Sequence, residues 1–386
     1  MHAPNAYKKF LLLFIALSSL LIVGCSSDEI KEEPMELEDF DEEIEIIKVW
    51  DESIGNGNEG QYLKLTPIII GDTIYAIDHS GLLLALNKSD GEELWEVEYE
   101  EPVSGALGGD DSQLYFATYH GEVVAVDRKG GMEQWRATLT SEVLSPPVSN
   151  GRQVVIQSID GKVVSLNAET GEMMWRYDSN APVLSIRGTS SPVITDELTL
   201  AGFANGELVA FRNITGSPVW NAEIGIPKGR TELERLVDID GQPIIRDDAV
   251  YTVSYQGKLS AIHLPTGKEI WSKQQSSYTG VDLGFGNVYV STASGVVVAY
   301  NQATRTEVWS QENLKFRQLT APKAFGSTTV VADFEGYVHF LSQIDGRFMG
   351  RVHLDSDGVR APMLISDDML FIYSNSGDLA AYKIAL

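Results

Sequence analysis

Short apolar runs alternate with polar positions along most of the chain, and glycines mark the turns between them at a near-constant interval. A glycine precedes such a run at Gly81, Gly121, Gly161, Gly206, Gly257, Gly295, Gly336 and Gly377, with spacings of 40, 40, 45, 51, 38, 41 and 41 residues. Ten residues after each of the first seven comes a second turn position: Gly91, Gly131, Gly171, Gly216, Gly267, Arg305 and Gly346. Four residues further stand Trp95, Trp135, Trp175, Trp220, Trp271 and Trp309, with Gly350 in that place in the seventh repeat. Alternation with period two is the pattern of half-buried strands, and glycine suits tight hairpins that need positive φ. Pro67, Pro147, Pro192, Pro243 and Pro322 each lie fourteen residues before the first glycine. Proline fits the first residue of a strand, where no ladder N–H is needed.

Each repeat therefore predicts four short strands, in the first repeat Pro67–Ile70, Thr73–Asp78, Leu82–Asn87 and Glu93–Tyr99. Four strands in about 40 residues, repeated around a ring, describe the blade of a β-propeller. The expected fold is all-β: an eight-bladed β-propeller of four-stranded blades spanning residues 44–386. The eighth repeat reaches only its third strand, Leu379–Ile384, before the chain stops at Leu386. The seventh tryptophan, Trp50, lies ahead of the first blade in Ile44–Trp50. That N-terminal segment is expected to supply the fourth strand of blade eight and so close the ring without an open sheet edge.

The first 24 residues read as a leader. Lys8 and Lys9 precede an apolar run from Phe10 to Val23, too short for a comfortable membrane span. The run ends in Ile22-Val23-Gly24-Cys25, which resembles the lipobox of bacterial lipoproteins. The resemblance implies cleavage before Cys25 and lipid on its sulfur and new amine. Cys25 is the single cysteine of the chain, so an internal disulfide is excluded. Ser26 follows it rather than Asp, and in this class of sorting signals that implies the outer membrane, with the protein facing the periplasm. Residues 28–45 hold eleven acids and one lysine, so residues 25–43 are expected to form a solvated tether.

Charge narrows the partners. The whole chain carries a formal net charge of −26, and without residues 1–46 there remain 44 acids against 26 bases. Phosphate backbones need a basic face, which argues against nucleic acid.

Ala85 to Trp95 reads ALNKSDGEELW and Ala261 to Trp271 reads AIHLPTGKEIW. This repeat resembles the tryptophan-docking motif of quinoprotein-type propellers, a superfamily that includes quinone-dependent dehydrogenases and the BamB lipoproteins of the outer-membrane β-barrel assembly machinery. The lipobox, mature length and eight repeats resemble BamB. The spacing from the blade tryptophan to the next proline position is usually 10 to 13 residues. It rises to 17 from Trp175 to Pro192 and to 23 from Trp220 to Pro243. These two boundaries are neighbours and fall on one face of the ring, as insertions on a binding face do. (Trp50 to Pro67, at the ring closure, is also 17.)

The two loops contain Val183 to Gly188 and Arg235 to Asp240, which resemble BamB segments that bind the POTRA domains of BamA. The resemblance carries that role to Leu184, Ile186, Arg187, Asp238 and Asp240, with Ile186 standing where a leucine is usual. Arginine and paired apolar side chains suit an interface anchor. The same residues admit a bracing role, in which Arg187 pairs with Asp238 or Asp240 inside the propeller. The resemblance further implies membership of the Bam complex and, more weakly, contact with unfolded outer-membrane proteins by strand addition at blade edges.

No catalytic constellation emerges. The six histidines lack metal-site spacing, no Gly-x-Ser-x-Gly elbow is present, and no cysteine is free for nucleophilic chemistry. Two aspartates on one loop are too few ligands to specify a metal. The reading is a scaffold without enzyme activity or cofactor. The alternative is a propeller that takes a small ligand or peptidoglycan in its central channel.

Overall fold

The computed structural model describes residues 32–179, 182, 184, 185 and 190–385. These residues form eight four-stranded antiparallel sheets, seven of them with neighbouring strands in chain order, and no α-helix is present among them. Blade one comprises Ile68–Ile70, Thr73–Ile77, Leu82–Asn87 and Glu93–Glu98, within a residue or two of the sequence expectation. The hairpin from third to outer strand carries an irregularity at one register position in every complete blade, such as Ala85/Leu86 and Ala261/Ile262. This bulge turns the outer-strand tryptophan toward the next blade.

The ring closes as the truncated eighth repeat requires. Ile46–Ser53 pairs antiparallel with Asp378–Ile384, with Trp50 opposite Ala381. The result is a blade of Leu364–Ser366, Met369–Tyr373, Asp378–Ile384 and Ile46–Ser53.

Tryptophans link one blade to the next. Trp135 of blade two donates its indole N–H to the Ala168 carbonyl of blade three at 2.8 Å, and Trp175 of blade three donates to Asn213 of blade four at 2.6 Å. Trp50 donates to Lys88 across the seam at 3.0 Å. The second turn glycine exists for this contact. Gly171 has φ +71°, and a Cβ there would sit 2.7 Å from Trp135 Cε3, so both backbone and space demand glycine. Arg305 takes the equivalent place at φ +62°.

Blade seven breaks the tryptophan series for a reason visible in the closure. Blade eight has no hairpin between its third and outer strands, because the outer strand arrives from the N-terminus. No turn exists there to receive a tryptophan. Ile44 and Ile46 fill the space over Gly350 instead, within 3.0 Å and 2.7 Å of where its Cβ would lie.

Residues 34–43, expected as part of a solvated tether, lie against blade seven. Met35 N–H donates to the Lys315 carbonyl at 3.0 Å, and the buried Arg317 donates to the Met35 carbonyl at 2.9 Å. Phe40 stacks on Phe348 at 5.2 Å beneath the Arg351 guanidinium, and Arg347 grips Glu43 through two 2.8 Å hydrogen bonds. The acidic composition predicts solvation, but Leu37, Phe40 and Ile44 punctuate the acids at intervals that allow apolar anchoring. The arginines of blade seven then receive the charge. The expected leader and Cys25 lie outside the described residues.

Candidate functional site: the paired loops between blades three and five

The two lengthened boundaries meet above blade four. The chain leaves blade three after Met173–Asp178 and enters blade four at Val193–Ile194; it leaves blade four after Pro218–Glu223 and enters blade five at Ile244–Arg246. Ser190 Oγ donates to the Gly241 carbonyl at 3.2 Å, and Gln242 Nε2 donates to the Pro192 carbonyl at 3.4 Å. These bonds tie the loops to each other close to where both turn inward.

The longer loop has two parts. Its outer part, around residues 226–236, carries a reciprocal cap. Glu234 N–H donates to Thr231 Oγ1 at 3.2 Å, while Arg230 and Thr231 N–H donate to Glu234 Oε2 at 2.6 and 3.3 Å. This is a capping box on a single turn. The same backbone donors hold the Glu234 carboxyl below its ordinary pKa. The turn presents Leu233 to solvent at 67% exposure, with Ile226 also exposed.

The inner part, Val237 to Gly241, dives into the ring. Ile239 is fully buried against Gly202 of blade four, and the Asp238 carbonyl accepts the Tyr255 N–H of blade five at 2.7 Å. Asp238 is 2% exposed and Asp240 is 7% exposed. Asp238 lines a small cavity with Ser185 and Ser190 of the shorter loop. Burial pushes the Asp240 carboxyl above its ordinary pKa, and the positive charge of Lys64 offsets only part of this. Asp240 Oδ1 has no hydrogen-bond partner among the described residues.

The five residues singled out from the sequence thus separate. Leu184 is 44% exposed and available to a partner. Asp238 and Asp240 are interior groups of the loop base and offer little surface. Ile186 and Arg187 lie outside the described residues. Leu233 and Ile226 were not singled out from the sequence. The signal that marks the exposed turn is Thr231-x-x-Glu234, a helix-start pattern with no helix following it.

Comparison with known proteins adds to this geometry. A family model described as outer membrane protein assembly factor BamB matches residues 79–311 and 293–385. The chain is 53% identical to the outer membrane protein assembly factor BamB of Pseudomonas aeruginosa over 95% of this chain and 97% of that protein. It is 46% identical to that of Marinobacter adhaerens over 96% of each. The crystal structure of BamB from Moraxella catarrhalis superposes with a TM-score of 0.81 at 27% identity, covering 88% of this chain and 99% of that one. A quinohemoprotein alcohol dehydrogenase from Comamonas testosteroni shares the fold alone, with a TM-score of 0.69 at 11% identity over 88% of this chain and 76% of that one. On the strength of the matched family model and these full-length relatives, this eight-bladed propeller belongs to the BamB family of outer membrane protein assembly factors.

Proposed function

We propose that the chain is a non-catalytic scaffold subunit of the outer-membrane β-barrel assembly complex. Its two paired loops bind the POTRA domains of BamA, and lipid on Cys25 holds it at the periplasmic side of the outer membrane. The observation that carries the site assignment is the pair of lengthened neighbouring loops, bonded to each other and bearing exposed Leu184, Ile226 and Leu233. Apolar side chains on a preorganised loop cost little entropy to dock and make a compact hot spot. Asp238 and Asp240 act beneath this surface as positioning residues for the longer loop. Arg187 serves the same surface whether it reaches the partner or braces the loop by pairing with Asp238 or Asp240.

Unfolded outer-membrane proteins are a second class of partner. Outer strands carry exposed Leu94, Met174, Val219, Ile270 and Val308 beside their tryptophans, a surface suited to strand addition.

The site is tested by co-purification with BamA. Leu184→Glu combined with Leu233→Glu is expected to lower recovery at least tenfold, while Ile270→Glu on an outer strand leaves it unchanged. Undiminished recovery with a folded double variant would sink the assignment of the loops.

A further inference from the structure

A cavity of about 520 Å³ runs through the centre of the ring. All eight blades contribute innermost-strand residues to its wall, including Ile68, Val148, Val193, Ile244, Val281 and Leu364. It is therefore the axial channel, of a size that ordinarily holds a small organic molecule.

Its charge is opposite to that of the protein. The chain has 55 acids and 29 bases, yet the channel wall carries three cations, Lys64, Lys323 and Arg360, against one acid, Asp240. The cations come from consecutive places in the ring. Lys323 begins blade seven, Arg360 precedes blade eight, and Lys64 precedes blade one. Together they make one cationic arc. None of them forms an ion pair among the described residues. Among the described residues, Arg360 makes only a 3.5 Å hydrogen bond to the Gln61 carbonyl and a stack on Tyr62 at 4.9 Å.

The loop between blades four and five, across the ring from this arc, supplies Asp240. Its Oδ1 and Ser145 Oγ are buried, line the same channel and lack hydrogen-bond partners. Buried polar atoms of this kind normally have one. Cations without an ion pair among the described residues at one side, unsatisfied polar oxygens at the other and apolar walls between them form a polarised site.

We propose that the axial channel is a binding site for a small organic anion whose carboxylate or phosphate meets the Lys64–Lys323–Arg360 arc and whose far end donates a hydrogen bond to Asp240. This site goes beyond the scaffold role and does not depend on it.

Calorimetry and saturation-transfer NMR on the full mature chain test it with three probes: 4-carbamoylbenzoate, 4-carbamoylphenyl phosphate and the neutral terephthalamide. At least one anion is expected to bind with Kd on the order of 1 mM or tighter, and comparing the two anions tells carboxylate from phosphate. The neutral diamide should bind at least tenfold more weakly. Lys64→Gln, Lys323→Gln and Arg360→Gln together should weaken the preferred anion at least tenfold with near-UV circular dichroism unchanged. If that triple variant does not fold, Lys323→Gln alone should weaken binding at least threefold. Affinity should also fall as salt rises from about 50 to about 300 mM. Absence of saturable binding by either anion, equal binding of the diamide, or binding indifferent to the substitutions overturns the proposal. Asp240 stays intact in every variant, so a failure here leaves the loop assignment untouched.

Discussion

Asp240 shows how one residue can serve a frame rather than a surface. Its carboxylate is nearly enclosed, lacks a partner at Oδ1, and is disfavoured in its charged form by burial. A group whose folded pKa lies above its unfolded value contributes stability that is full below the unfolded pKa and is lost as pH rises through the folded one. Above the unfolded value, the cost of ionising this buried group therefore opposes folding. Asp240→Asn is expected to raise the melting temperature at pH 7, with the gain shrinking as pH falls and gone by about pH 2.5, well below the unfolded value of about 3.9, where the carboxyl is neutral in both states. Thermal unfolding of both proteins across that range checks it; a constant difference at every pH would contradict the role of burial. The sequence made Asp238 and Asp240 conspicuous by motif resemblance, but motif resemblance carries no information on depth. The alternation of Val237 and Ile239 with the two aspartates looks like a half-exposed strand, whereas tertiary packing buries both sides.

At the level of elements, closure and covering are separate devices. The strand Ile46–Ser53 completes blade eight, and Trp50 locks it to blade one through Lys88. Residues 34–43 then lie against blade seven through Arg317, Arg347, Phe348 and Arg351. Trp50→Ala is expected to cost about 3–5 kcal/mol, because it empties a buried inter-blade site. Removing residues up to 43 should cost less, since most of that segment's contacts lie at the surface. Chemical denaturation of the two variants ranks them, and an equal or larger loss from the truncation would reverse the assignment of roles. The closing strand was legible because a truncated last repeat and an orphan tryptophan complement each other. The covering segment was not, because its acidic composition dominates the pattern, and the arginines that receive it lie about 300 residues away.

Across the whole molecule, seven docked tryptophans and one substituted joint make a rigid ring, and the ring holds two lengthened loops at one side. The architecture was legible throughout, since a period of about 40 residues imposes the same strand pattern eight times. The two long neighbouring loops were legible from their length, but which of their residues are exposed was only partly so. Exposure depends on which part of a loop folds inward, and no local pattern states that except the Thr231–Glu234 cap. Those loops are the proposed surface for BamA. Photo-crosslinking tests this most directly, with a photoreactive residue placed at Leu233 or Leu184 in the lipidated protein and, as controls, at Met132 and Ile270. Crosslinks to BamA POTRA domains from Leu233 and Leu184, with none from the controls, are the predicted result. Crosslinks to BamA from the control positions and none from the loops would contradict the account.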